Sequence, residues 1–91
     1  MIHKRMTKLS VVEFAEVLFT TSLQASDHPT PAAVRSAVRQ SWTAGGADCT
    51  RFAARLAQEA GDHPEQTARR MRWALRTAEG VLHRPRMRLA G

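Results

Sequence analysis

The sequence predicts an all-α domain of four helices, and three observations carry that expectation. Apolar residues recur at three- and four-residue spacings in four segments, and recognisable start and stop residues bound those segments. No segment shows the period-two alternation or β-branched enrichment of a strand. Ser10 and Glu13 make the S-x-x-E pattern of a capping box, opening a helix predicted to run to about Leu23. Thr30 as N-cap with Pro31 at the first helical position opens a second, to about Trp42. Residues 43–47, with Gly45 and Gly46, break the chain. Asp48 caps a third helix, to about Ala60, which Gly61 closes. Asp62 with Glu65 resembles another capping box, and the fourth helix runs to about Leu82, weakened by Gly80 and stopped before Pro85.

At 91 residues the chain has room for one globular unit, and 43% hydrophobic residues can build its core. A domain this small buries only about 60–65% of its unfolded surface, so help from a partner is physically reasonable. Cys49 is the sole cysteine, which excludes an intramolecular disulfide and a Cys-based zinc finger and suits a reducing compartment. No stretch reaches the roughly 18 apolar residues of a membrane span. Lys4, Arg5 and Lys8 ahead of an apolar run imitate a signal peptide, but Glu13 and Glu16 interrupt its apolar region, so a cytoplasmic protein with no membrane partner is expected.

The net charge of +6 is unevenly placed: +3 over residues 1–8, −3 over 9–68 and +6 over 69–91. The expected organisation is a basic N-terminal segment over 1–9, a helical domain over 10–82 and a basic tail over 83–91, with flexible ends. Met6 offers a second start, which would leave Lys4 and Arg5 in an upstream extension.

An echo appears at an offset of 35 residues, pairing Ala25, Asp27, His28, Pro29 and Ala33 with Ala60, Asp62, His63, Pro64 and Ala68; Arg35 and Arg70 follow. Each copy joins two helices through an Asp-His-Pro turn. A duplicated helical hairpin explains this, as does the general preference of helix starts for Asp and Pro, although His has no capping rationale. The tetratricopeptide pattern is absent, and two units are too few to stack.

The first helix is the most unusual. Val11, Val12, Phe14, Ala15, Val17, Leu18, Phe19 and Leu23 cover an arc of about 240° at 100° per residue, leaving Glu13, Glu16 and Thr20 as a narrow polar strip. Either it is the central core helix, or alanine-rich neighbours fail to cover it and Val12, Phe19 and Leu23 anchor a homo-oligomer or a protein partner.

The fourth helix is predicted to bury Ala68, Met71, Leu75, Ala78 and Leu82. Arg69, Arg72 and Arg76 form an adjacent stripe, with Arg70 and Trp73 on its far flank. With Arg84, Arg86 and Arg88 of the tail, they make an arginine-rich end able to attract phosphates, with Trp73 available for stacking. Composition offers a plainer account: 12 Arg against 2 Lys, with 15 Ala, is what GC-rich coding produces, and arginines late in a helix also complement its dipole.

The second helix is predicted to bury Val34, Ala37, Val38 and Trp42 and to expose Arg35 and Arg39; the third, to bury Cys49, Phe52, Ala53, Leu56 and Ala60 and to expose Arg51, Arg55 and Glu59. Their connection is too long for a helix-turn-helix, and Thr50 and Arg51 are its only candidates for base edges. Cys49 stands at a helix N-terminus but on the apolar stripe, and reads as core. His28 and His63 with Asp27 and Asp62 would suit a metal chemically, yet lack zinc-type spacing and read as solvated turn residues. Gly45-Gly46 lacks the pattern of a phosphate loop. No catalytic residue, metal or cofactor is expected.

Residues 22–31 (SLQASDHPTP) and 57–75 (AQEAGDHPEQTARRMRWAL) resemble parts of small uncharacterised proteins of GC-rich actinobacterial genomes, over about a third of the chain. The resemblance implies a bacterial cytoplasmic setting and carries no functional residues. The expectation is a non-enzymatic helical interaction or adaptor protein that self-associates; the alternative is a nucleic-acid-binding accessory or regulatory protein using the arginine-rich end.

Overall fold

Ser10 and Glu13 close their capping box: the Glu13 N–H donates to Ser10 Oγ at 3.1 Å and the Ser10 N–H to Glu13 Oε1 at 2.9 Å. The computed structural model describes residues 6–83. Lys4, Arg5, Arg84, Arg86 and Arg88, and with them most of both basic ends, lie outside the described residues. Within them the chain forms a 3₁₀ turn at Met6–Lys8, α1 (Val11–Phe19), a second 3₁₀ turn at Ala25–Asp27, α2 (Pro31–Ala44), α3 (Cys49–Asp62) and α4 (Pro64–His83). No described residue is in a strand. The all-α, four-helix expectation holds, and no described helix is long and apolar enough to cross a membrane.

Helix ends depart from the sequence reading where side chains or prolines compete for the backbone. α1 stops at Phe19 rather than near Leu23, because the Thr20 and Thr21 hydroxyls donate to the carbonyls of Val17 and Leu18 at 2.6 and 2.7 Å and the backbone tightens there. α2 runs two residues past Trp42; the Ala47 N–H then donates to Trp42 O at 2.9 Å through left-handed Gly46 and Ala47, at φ 79° and 56°. α3 passes straight through Gly61, so Asp62 ends that helix instead of capping the next. Pro64 takes the first position of α4, and the His63 carbonyl accepts from the Thr67 N–H at 2.9 Å. Asp62 and Glu65 therefore do not occupy capping-box positions.

The two Asp-His-Pro turns also differ. His28 is left-handed at φ 47°, ψ 56°, whereas His63 lies at φ −139°, ψ 70°. α2 begins two residues after Pro29, while α4 begins at Pro64. His is among the residues that tolerate the left-handed region, which gives His28 a backbone role.

α1 is the central helix, packed against α2, α3 and α4. Phe14, Ala15, Val17 and Leu18 are fully buried, among Leu9, Val34, Val38, Trp42, Phe52, Ala74, Ala78 and Val81. Small residues on α4 let that helix approach closely; of the apolar arc, Val11, Phe19 and Leu23 are half-buried and Val12 is exposed. The buried face of α4 is Thr67, Ala74, Ala78 and Val81, flanked by half-buried Met71 and Leu75. Ala68 and Leu82, placed in the core by spacing alone, are exposed. α3 buries only Phe52, with Cys49 and Leu56 half-buried and Ala53 and Ala60 exposed. Its anchor is the Phe52 ring, stacked on Trp42 with centroids 5.7 Å apart.

Candidate nucleic-acid interface

The arginines of α4 divide into two kinds. Arg70 turns toward the end of α1, where Nε donates to Phe19 O at 3.0 Å, Nη2 to Thr21 O at 2.8 Å and Nη1 to Leu23 O at 2.9 Å. Its guanidinium carbon also lies 5.6 Å from the Phe19 ring centroid and 5.0 Å from that of Trp73. Burial pushes the Arg70 pKa down, but a guanidinium remains charged at any physiological pH. Arg35, its counterpart in the 35-residue echo, donates through Nη2 to Val81 O at 2.9 Å, near the end of α4. Both echo-related arginines thus satisfy a carbonyl at the C-terminus of a helix in another part of the fold.

Arg69, Arg72 and Arg76 are the other kind. They recur at i, i+3 and i+7 of α4, all three are exposed, and none is held by a hydrogen bond or ion pair to another described residue. Two of them border a cleft of about 300 Å³ between α4 and the segment entering the second 3₁₀ turn. Gln24, Gln66, Arg69, Arg70, Trp73 and Arg76 line it. Trp73 is half-buried, and both glutamines are exposed.

The sequence-derived basic set is therefore brought together in part. Arg69, Trp73 and Arg76 share the cleft; Arg72 extends the exposed face beyond it; Arg84, Arg86 and Arg88 lie outside the described residues. Sequence reasoning missed Gln24, Gln66 and the separate role of Arg70. Gln66 was open to discovery, one turn before Arg69 on the same helix. Gln24 was not, since it reaches α4 only through the fold.

The chain matches no family model, no curated protein and no solved structure. The site therefore rests on its own geometry.

The α1 anchors are dispersed. Val12 is 54% exposed, whereas Phe19 is half-buried beside the Arg70 guanidinium and Leu23 is half-buried against the core. A second cleft, of about 520 Å³, lies among Thr20, Ser41, Gly45, Arg51, Phe52 and Arg55. Its Thr20 and Ser41 hydroxyls bond each other at 2.9 Å and Phe52 is buried against Trp42, while Arg51, Arg55 and Gln58 on its wall are exposed. His28 and His63 are exposed, and no three His, Cys, Asp or Glu side chains among the described residues are placed to hold a metal. Cys49 is the first residue of α3, half-buried against the core.

Proposed function

We propose that this protein is a small, non-enzymatic nucleic-acid-binding accessory protein that holds phosphates with Arg69, Arg72 and Arg76. The observation that carries this reading is their shared exposure without a hydrogen bond or ion pair to another described residue, while Arg70 on the same helix is committed to α1. GC-rich coding accounts for arginine in place of lysine; what α4 adds is an aromatic ring, Trp73, in the same cleft as Arg69 and Arg76. Glu65 precedes Arg69 by four residues and Glu79 follows Arg76 by three, spacings that favour helix ion pairs, yet neither pair forms among the described residues. The three cations are left facing solvent, Arg69 and Arg76 in the cleft that Trp73 also lines. A cytoplasmic setting belongs to the same reading and suits the lone cysteine.

The test is a salt titration of binding to a fluorescent single-stranded oligonucleotide. Each phosphate contact contributes about 0.7 to the slope of log affinity against log salt, so changing Arg69, Arg72 and Arg76 together to Ala is expected to flatten it by about 2. An unchanged slope, with helicity intact, would remove this face from consideration.

A further inference from the structure

We infer that the cleft between α4 and the Gln24 segment seats one unstacked nucleotide of a single strand, so that the protein prefers single-stranded to duplex nucleic acid. The inference rests on the nucleic-acid reading above and adds what the site recognises. Along α4 the groups that line the cleft occur in the order Arg69, Trp73, Arg76, with the half-buried ring one turn from each exposed cation. A nucleotide within a strand presents the same order, with a flat base between two flanking phosphates. The base of a duplex is closed inside its stack and cannot reach the ring, whereas a single strand can turn a base out onto an aromatic side chain.

The cleft also carries groups suited to a base edge. Gln24 and Gln66 each present an amide with two donor hydrogens and an acceptor oxygen, both exposed at the cleft wall. Arg70 has five N–H groups, of which three are used by the carbonyls of Phe19, Thr21 and Leu23, so one remains on each Nη. Its plane already lies against Trp73, completing a cationic and aromatic floor. At about 300 Å³ the space is at the small end of ligand pockets, suited to one base rather than a stack. A free nucleoside monophosphate carries phosphate at one end only and would leave one of the two flanking arginines without a contact.

The experiment compares the full chain binding a single-stranded DNA of about 15 nucleotides with the same sequence as a duplex, at one salt concentration. Single-strand affinity is expected to be about tenfold higher, the effect of one base–ring contact. Trp73→Leu is expected to lower single-strand affinity about tenfold and leave duplex affinity unchanged. Should that variant lose helicity, Gln24→Ala with Gln66→Ala decides the matter: both side chains are exposed, and single-strand affinity is expected to fall several-fold with an unchanged salt slope. Equal affinity for strand and duplex overturns the inference and leaves the phosphate-binding reading standing. Binding to neither overturns both. Displacement of the strand by a nucleoside 5′-monophosphate at matched phosphate concentration overturns it in favour of a free-nucleotide site.

Discussion

The guanidinium of Arg70 and the carbonyl of Phe19 meet at 3.0 Å across 51 residues of sequence. α1 has only nine residues, too few to be stable alone, and its last carbonyls have no partners within the helix. Arg70 answers both deficits, placing positive charge at the negative end of the helix dipole and donating to the carbonyls of Phe19, Thr21 and Leu23. The helix that carries the candidate cleft is thereby fastened to the helix that carries the core.

Arg70→Ala is expected to lower stability by about 2–4 kcal/mol, less than the sum of three charge-assisted bonds because the site is half-exposed and their contributions overlap. Arg70→Lys should recover only part of this, since an ammonium cannot match a planar fork of donors. Urea unfolding checks both through the midpoint at constant slope. A loss under about 0.5 kcal/mol for the alanine variant would mean that the cap is ornamental.

Gly45 gives a prediction of opposite sign to Gly80. A Cβ at Gly45 would stand 2.5 Å from Phe52 Cζ and 2.8 Å from Cε2, in the ring that anchors α3 on Trp42. Gly45→Ala is expected to cost about 1–3 kcal/mol by displacing that ring. At Gly80 a Cβ would meet nothing within 4 Å, so Gly80→Ala is expected to stabilise by about 0.5–1 kcal/mol through helix propensity. Thermal melts of the pair settle it: a shift in the same direction for both would contradict this account.

Local chemistry made much of the fold legible. The Ser10–Glu13 box, the Thr30–Pro31 start and the Asp48 cap could be read because each depends on neighbours in sequence. Periodicity alone misjudged the end of α1, where threonine hydroxyls compete for carbonyls, and the face of α4, where Thr67, Ala74 and Val81 are buried in place of Ala68 and Leu82. A run of small and medium residues scarcely distinguishes one helix face from the next; packing decides it. The exposed arginines of the candidate site were legible as a stripe. The division between Arg70 and its neighbours was not, since it depends on carbonyls that arrive from Phe19, Thr21 and Leu23.

Glu16 supplies a pH dependence. Burial, reinforced by the like charge of Glu13, raises its pKa above the ordinary carboxylate value. Between the ordinary value and the raised one, folded Glu16 holds a proton that the unfolded chain has released, so its contribution lowers stability as pH rises through that window. Above the window the penalty is complete. Glu16→Gln is therefore expected to melt higher than the wild type at about pH 7, with the gap closing below about pH 4 as both side chains become neutral. A gap that persists unchanged in acid would mean that packing, not charge, separates them.

Substitutions on α1 separate self-association from core packing. Val12 is 54% exposed, and Val12→Glu is expected to leave both stability, within about 0.5 kcal/mol, and sedimented mass unchanged. Phe19 is half-buried with the Arg70 guanidinium against its ring, so Phe19→Ala is expected to cost about 2–3 kcal/mol, below the range for a fully buried phenylalanine, again without changing the mass of the folded species. The physical basis is the packing of α1 against α2, α3 and α4, which buries Phe14, Ala15, Val17 and Leu18 and leaves Val12 as the exposed large apolar side chain of that helix. If Val12→Glu halves the sedimented mass while the melt is unmoved, the exposed edge of α1 is an interface after all.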